Sequence, residues 1–184
     1  MPIERPQFKT CARIFELCAC HTEGIKVLSG YLNQIIFQCN RFMQMDNDMM
    51  TVKYPAATVL LDLTANETCI ERVAELVMHH DMLGIVIKEL ELSLQRRNKN
   101  LGSTNKVYLS RFRDLMIGII LNLTCNVENE EVIAYMHKKN IIRMLRKILI
   151  DSRHDWPTNG AALAILQYSH TALSNSDIFL MLED

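Results

Sequence analysis

Apolar and polar positions recur along this chain at spacings of three and four, the period of helices that bury one side. Over residues 8–20 the apolar positions are Phe8, Cys11, Ala12, Ile14, Phe15, Cys18 and Ala19, in a helix that Pro6 is placed to open. A short helix over about 23–28 follows, Ser29-Gly30 breaks it, and a longer helix covers about 31–42. Residues 43–51 read as a loop. The pattern then repeats: a helix opening at Tyr54-Pro55 and running to about 65, a short helix over 69–78, a corner at His79-His80-Asp81, and a longer helix over about 82–94. Residues 95–107 have few apolar groups and cluster Asn, Gly, Ser and Thr, as an exposed insertion does. A third round follows at 108–125, 130–137 and 141–150, with a corner at Lys138-Lys139-Asn140. Pro157 opens a further helix to about 173, and Ser174–Asp177 suits the cap of a final short one.

The order long, short, longer is marked by one recurring stretch. Ile119-Ile120-Leu121-Asn122-Leu123-Thr124-Cys125-Asn126 has the same shape as Val59-Leu60-Leu61-Asp62-Leu63-Thr64-Ala65-Asn66, and Ile14-Phe15-Glu16-Leu17-Cys18-Ala19-Cys20 is a looser copy. Asp62 and Asn122 are 60 apart, whereas Glu16 to Asp62 is 46 and Asn122 to Gln167 is 45. The surplus of about 14 in the middle interval matches the polar 95–107 insertion. Without it each unit has the ~40–47 residues of stacked helical repeats.

Leu121-Asn122-Leu123-Thr124 matches the Leu-x-Asn-Leu-small pattern at the end of the third helix of armadillo repeats, and Leu61-Asp62-Leu63-Thr64 nearly matches it. The chain thus resembles the armadillo (armadillo/HEAT-like) superfamily. That resemblance implies an all-α fold, a right-handed α-α superhelix of about three to four units starting on a third-type helix. It implies one armadillo-like domain over 1–184, with units at about 7–45, 54–97 and 107–151, the insertion at 95–107 and a C-terminal cap at 155–184. Opening on a third-type helix suits either the C-terminal part of a longer protein or an unusual N-terminal cap. The corner Gly of the family is missing at His80-Asp81 and Lys139-Asn140.

In such a stack the third helices line a concave groove that holds an extended peptide or a partner protein, the Asn amide serving as both donor and acceptor. The ladder here reads Glu16, Asp62, Asn122, Gln167. Phe8, Arg13, Tyr54, Thr58, Arg111, Asp114 and Asn159 join it on the groove side. The plainer reading makes many of these solvated helix positions, since few interface residues carry binding energy. The family's nuclear-import receptors place Trp one turn before the Asn; Ala12, Thr58, Gly118 and Leu163 stand there, which argues against basic localisation peptides.

Composition narrows the function classes. The 184 residues carry 20 Lys plus Arg and 21 Asp plus Glu, so no global charge calls for nucleic acid. Arg96, Arg97, Lys99, Lys106, Arg111 and Arg113 nevertheless form a segment without acidic residues, which suits an acidic partner or a nucleic-acid backbone, or simply a solvated loop. No apolar run approaches the ~18 residues of a membrane span, and the first residues lack the apolar core of a secretory signal. The six cysteines form no CxxC pair, and Cys18-Ala-Cys20-His21 lacks a second half for a metal, so reduced thiols in a cytoplasmic or nuclear protein are expected. Met43, Met45, Met49 and Met50 suit an adaptable surface or gap-filling. With no phosphate loop, nucleophile elbow or HExxH, neither an enzyme nor a cofactor is expected. The expected function is a non-enzymatic scaffold whose groove binds a protein or peptide partner, or a second copy; the alternative is nucleic acid or an acidic partner on the basic segment.

Overall fold

The helical period becomes nine α-helices among the described residues, with no strand: α1 (Arg5–Ala19), α2 (Thr22–Ser29), α3 (Leu32–Met43), α4 (Met50–Thr64), α5 (Ile70–His79), α6 (Met82–Arg96), α7 (Ser103–Cys125), α8 (Glu130–Lys138) and α9 (Ile141–Ile150). The structure, a computed structural model, describes residues 5–45, 50–96, 103–125, 130–150, 160, 162, 163 and 165. The expected helices 157–173 and 174–182 therefore lie almost wholly outside the described residues. Helix extends into both ends of the 95–107 stretch, α6 to Arg96 and α7 from Ser103.

α4 begins at Met50, so Pro55 lies inside it and not in the first turn expected from the sequence. Lacking an N–H, Pro55 cannot bond the carbonyl four residues back, which belongs to exposed Thr51. The loss falls near the helix start on a residue open to solvent, while Pro55 itself is buried. The helix survives because nearly all of its circumference is packed. Val52, Ala56, Ala57, Val59, Leu60 and Leu63 are buried, and a helix apolar all round belongs in an interior. α4 accordingly packs against α1, α3 and α7 and touches α5, while α7 packs against α4 and α6. Among the described residues no helix is long and apolar enough to cross a membrane.

Two corners explain the missing glycines. Asp81 and Asn140 have φ of 50° and 55°, the left-handed conformation, and each directly precedes a longer helix, α6 or α9. Asp and Asn are the side-chain-bearing residues that enter this region most readily. Neighbouring helices hold the first corner. Asn40 Nδ2 on α3 donates to the His80 carbonyl at 2.7 Å, His80 Nε2 meets Asn33 Oδ1 at 2.8 Å, and the Tyr135 hydroxyl on α8 donates to Asp81 Oδ1. Burial and that bond push the Tyr135 phenol up to about 12.

The core also contains two cations 60 residues apart. Lys53 on α4 is 1% exposed and its Nζ lies 2.9 Å from Glu89 Oε1 on α6. Arg113 on α7 is also buried, with Nη2 donating to Ser110 Oγ at 3.1 Å. The repeated spacing that relates Asp62 to Asn122 thus relates Lys53 to Arg113. Met43 is fully buried, and Met45 and Met50 pack against the core, which fits gap-filling. The thiols divide: Cys39 and Cys69 are buried, Cys18 and Cys125 half-buried, and Cys11 and Cys20 exposed, all free. Burial pushes the Cys39 thiol up to about 12.

Candidate functional site

Tyr54, Thr58 and Asp62 recur at spacing four on α4, and Asp114, Gly118 and Asn122 do so on α7; all six are half-buried. Residues four apart share one side of a helix, so each set forms a row. The C-terminal turns of the two helices lie together at Leu61 and Thr64, on either side of Asp62. Asn122 Nδ2 donates to the Leu61 carbonyl at 3.3 Å and to Thr64 Oγ1 at 3.2 Å. Gly118 faces the Leu61 side chain there: a Cβ would stand 2.8 Å from Leu61 Cδ1, so the end of that side chain would have to shift. The donor half of the Asn122 amide therefore ties α7 to α4, and Oδ1 is the acceptor not used in that tie.

α1 meets α4 at the same level. Cys20 Sγ donates to Asp62 Oδ2 at 3.9 Å, and Arg13 Nη1 pairs with Glu16 Oε2. Glu16 is buried, with Ala12 and Ala19 on the same side of α1. Burial pushes the Asp62 carboxyl above its ordinary range, the Glu16 charge adds to the shift, and the Cys20 hydrogen bond opposes it. Glu16, Asp62 and Asn122 thus lie in sequence across three adjacent helices, in a field that is negative at the α1–α4 end.

The other expected site residues scatter. Arg13 and Arg111 are exposed, and the Phe8 side chain, Asn159 and Gln167 lie outside the described residues. Of the basic segment, Arg111 faces solvent and Arg113 is turned into the core beside buried Phe112. The side chains of Arg96, Arg97, Lys99 and Lys106 are outside the described set. Sequence reasoning missed Cys20, Leu61, Thr64 and Gly118 as parts of the strip. Thr64 had a signal, the hydroxyl closing each clear copy of the motif. Its Oγ1 bonds the Leu61 carbonyl at 3.0 Å and Thr124 Oγ1 bonds the Ile120 carbonyl at 2.6 Å. Among the described residues no group of three or more His, Cys, Asp or Glu side chains is placed to hold a metal. Compared with protein-family models, curated proteins and solved structures, the chain matches none.

Proposed function

We propose that this chain is an armadillo-like solenoid, a non-enzymatic scaffold of the cytoplasm or nucleus that binds a partner peptide or helix along the strip formed by α1, α4 and α7. The single observation that carries the reading is the tie of Asn122 to Leu61 and Thr64 on α4, which flank Asp62. Half-buried polar groups on packed helices are held in place before a ligand arrives, which lowers the ordering cost of binding. The chain-own tie of Asn122 limits its share to Oδ1, so Thr58 and Asp62 carry more of the recognition. The basic-segment alternative draws less support, because Arg113 is buried.

Affinity capture from cell extract with the wild-type chain, Asp62→Arg and Thr58→Arg tests the reading. Specific partners of the wild type should be lost from both variants and kept by Val27→Glu, which alters an exposed residue on α2. Retention of every specific partner by both strip variants, with unchanged thermal melts, removes the assignment.

A further inference from the structure

We propose that the outward side of α9, together with the α8–α9 corner, is a docking surface for a short acidic segment of a partner protein, separate from the α1–α4–α7 strip. Residues 132–150 hold five of the chain's 20 Lys and Arg and none of its 21 Asp and Glu. On α9 the buried positions are Ile141, Ile142, Leu145 and Ile148, which share one side of the helix. Arg143 and Lys147, one turn apart, therefore point the opposite way, and both are exposed. Lys138 and Lys139 are exposed at the corner, where Asn140 at φ 55° turns the chain from α8 into α9. On α1, α2 and α5 an exposed cation pairs with an acid within one turn: Arg13 with Glu16, Lys26 with Glu23 and Arg72 with Glu75. Among the described residues Lys138, Arg143 and Lys147 have no such acidic partner.

The extent of the cationic patch selects the occupant. Glu131 is exposed on α8, on the same side of that helix as Lys138 and about 10 Å from it by the helix rise. In another direction Lys139 Nζ lies 5.3 Å from the centre of the Tyr135 ring, and the Tyr135 hydroxyl donates to exposed Asp81. Carboxylates thus bound the patch on two sides. A nucleic-acid strand or an anionic bilayer extends past those bounds and meets the net acidic remainder of the chain. A short run of Asp and Glu fits within them, and its carboxylates match the planar fork of Arg143. The 96–113 segment offers less, since Arg113 is buried and Arg111 is the exposed cation of its described side chains.

The test uses the full chain and fluorescently labelled peptides of repeated Glu-Ser-Leu and of repeated Gln-Ser-Leu. Fluorescence anisotropy at low salt should show saturable binding of the Glu peptide, weakened by added salt, and none of the Gln peptide. Arg143→Glu combined with Lys147→Glu should weaken binding about tenfold or more, as expected for losing two exposed ion pairs and adding repulsion. Both positions are exposed, so the double variant keeps its fold. Arg111→Glu and Asp62→Arg should leave binding unchanged, which separates this surface from the 96–113 segment and from the strip. Absence of saturable binding, equal binding by the double variant, or an equal loss in Arg111→Glu overturns the proposal. So does tighter binding of a labelled oligothymidylate or of phosphatidylserine vesicles, because the occupant would then be nucleic acid or a membrane.

Discussion

α1 and α4 carry loosely similar sequence stretches, yet they live in different surroundings. α4 has a helix on each side, so its apolar row, its buried Lys53 and its internal proline are all held by neighbours. α1 packs chiefly on α4 and α2, burying Ala12, Glu16 and Ala19 and leaving Ile14 and Leu17 half open. Lys53 has Gln7 as its counterpart on α1, and Gln7 is exposed. The difference teaches that similar stretches take on different roles according to the number of neighbouring helices.

The sharpest break in that comparison is at Lys53. Lys53→Met leaves Glu89 as an unpaired buried carboxylate and is expected to cost about 3–5 kcal/mol in urea unfolding. Adding Glu89→Leu should recover most of that loss, because the pair is replaced by apolar packing. Gln7→Met on α1 should change stability by less than about 0.5 kcal/mol.

Next comes the pair Leu63→Ala and Leu17→Ala, the same change in the same register. Leu63 is fully buried, so its truncation should cost about 2–5 kcal/mol through lost transfer energy and a residual cavity. Leu17 is half exposed and should cost less than about 1 kcal/mol, since no closed cavity forms. Equal costs would mean that α1 is covered as α4 is.

The smallest effect concerns Asp62. Its carboxyl is held above the ordinary 3.8 in the folded chain, by burial first and by Glu16 second. The folded state therefore binds the proton more tightly, and stability contributed by the neutral form is lost as pH rises from the ordinary value through the raised one. At neutral pH the charged carboxylate is a small liability. Asp62→Asn should raise Tm at pH 7 by roughly 1–2 °C and flatten the acid limb of stability against pH, a modest gain because the group is only half-buried. A fall in Tm at pH 7 would point to a stabilising ionised role.

Much of this architecture was legible in the sequence because the 3.6-residue period needs no tertiary information. The short and long helices fall close to their expected spans, and Asp81 and Asn140 stand where the chain turns. Pro55 misled about the start of α4, because tertiary packing on all sides outweighs one missing bond. The side chosen for burial was less legible. Glu16 shares a register with Asp62, but it is buried against α4 alongside Ala12 and Ala19, whereas Asp62 is half open. Arg113 read as part of a basic surface because nothing local distinguishes it from Arg111; its burial comes from the packing of α7 against α4 and α6. Asn122 was legible as a polar residue in an apolar motif, but its tie to Leu61 and Thr64 depends on the packing of α7 against α4, which no local pattern announces.

The claim that one register is covered on α4 and α7 but open on α1 can be read with a single chemistry. Cys11 on α1 is exposed, while Ala57 and Ile117 in the same register are buried. Native-state alkylation, followed by mass spectrometry, compares Cys11 with the thiols introduced by Ala57→Cys and Ile117→Cys. Cys11 should react within about tenfold of its rate in the unfolded chain, and the introduced thiols about a thousandfold or more slower, since they require local opening of packed helices. Introduced thiols that react as fast as Cys11, or a Cys11 protected as strongly as they are, would contradict the account.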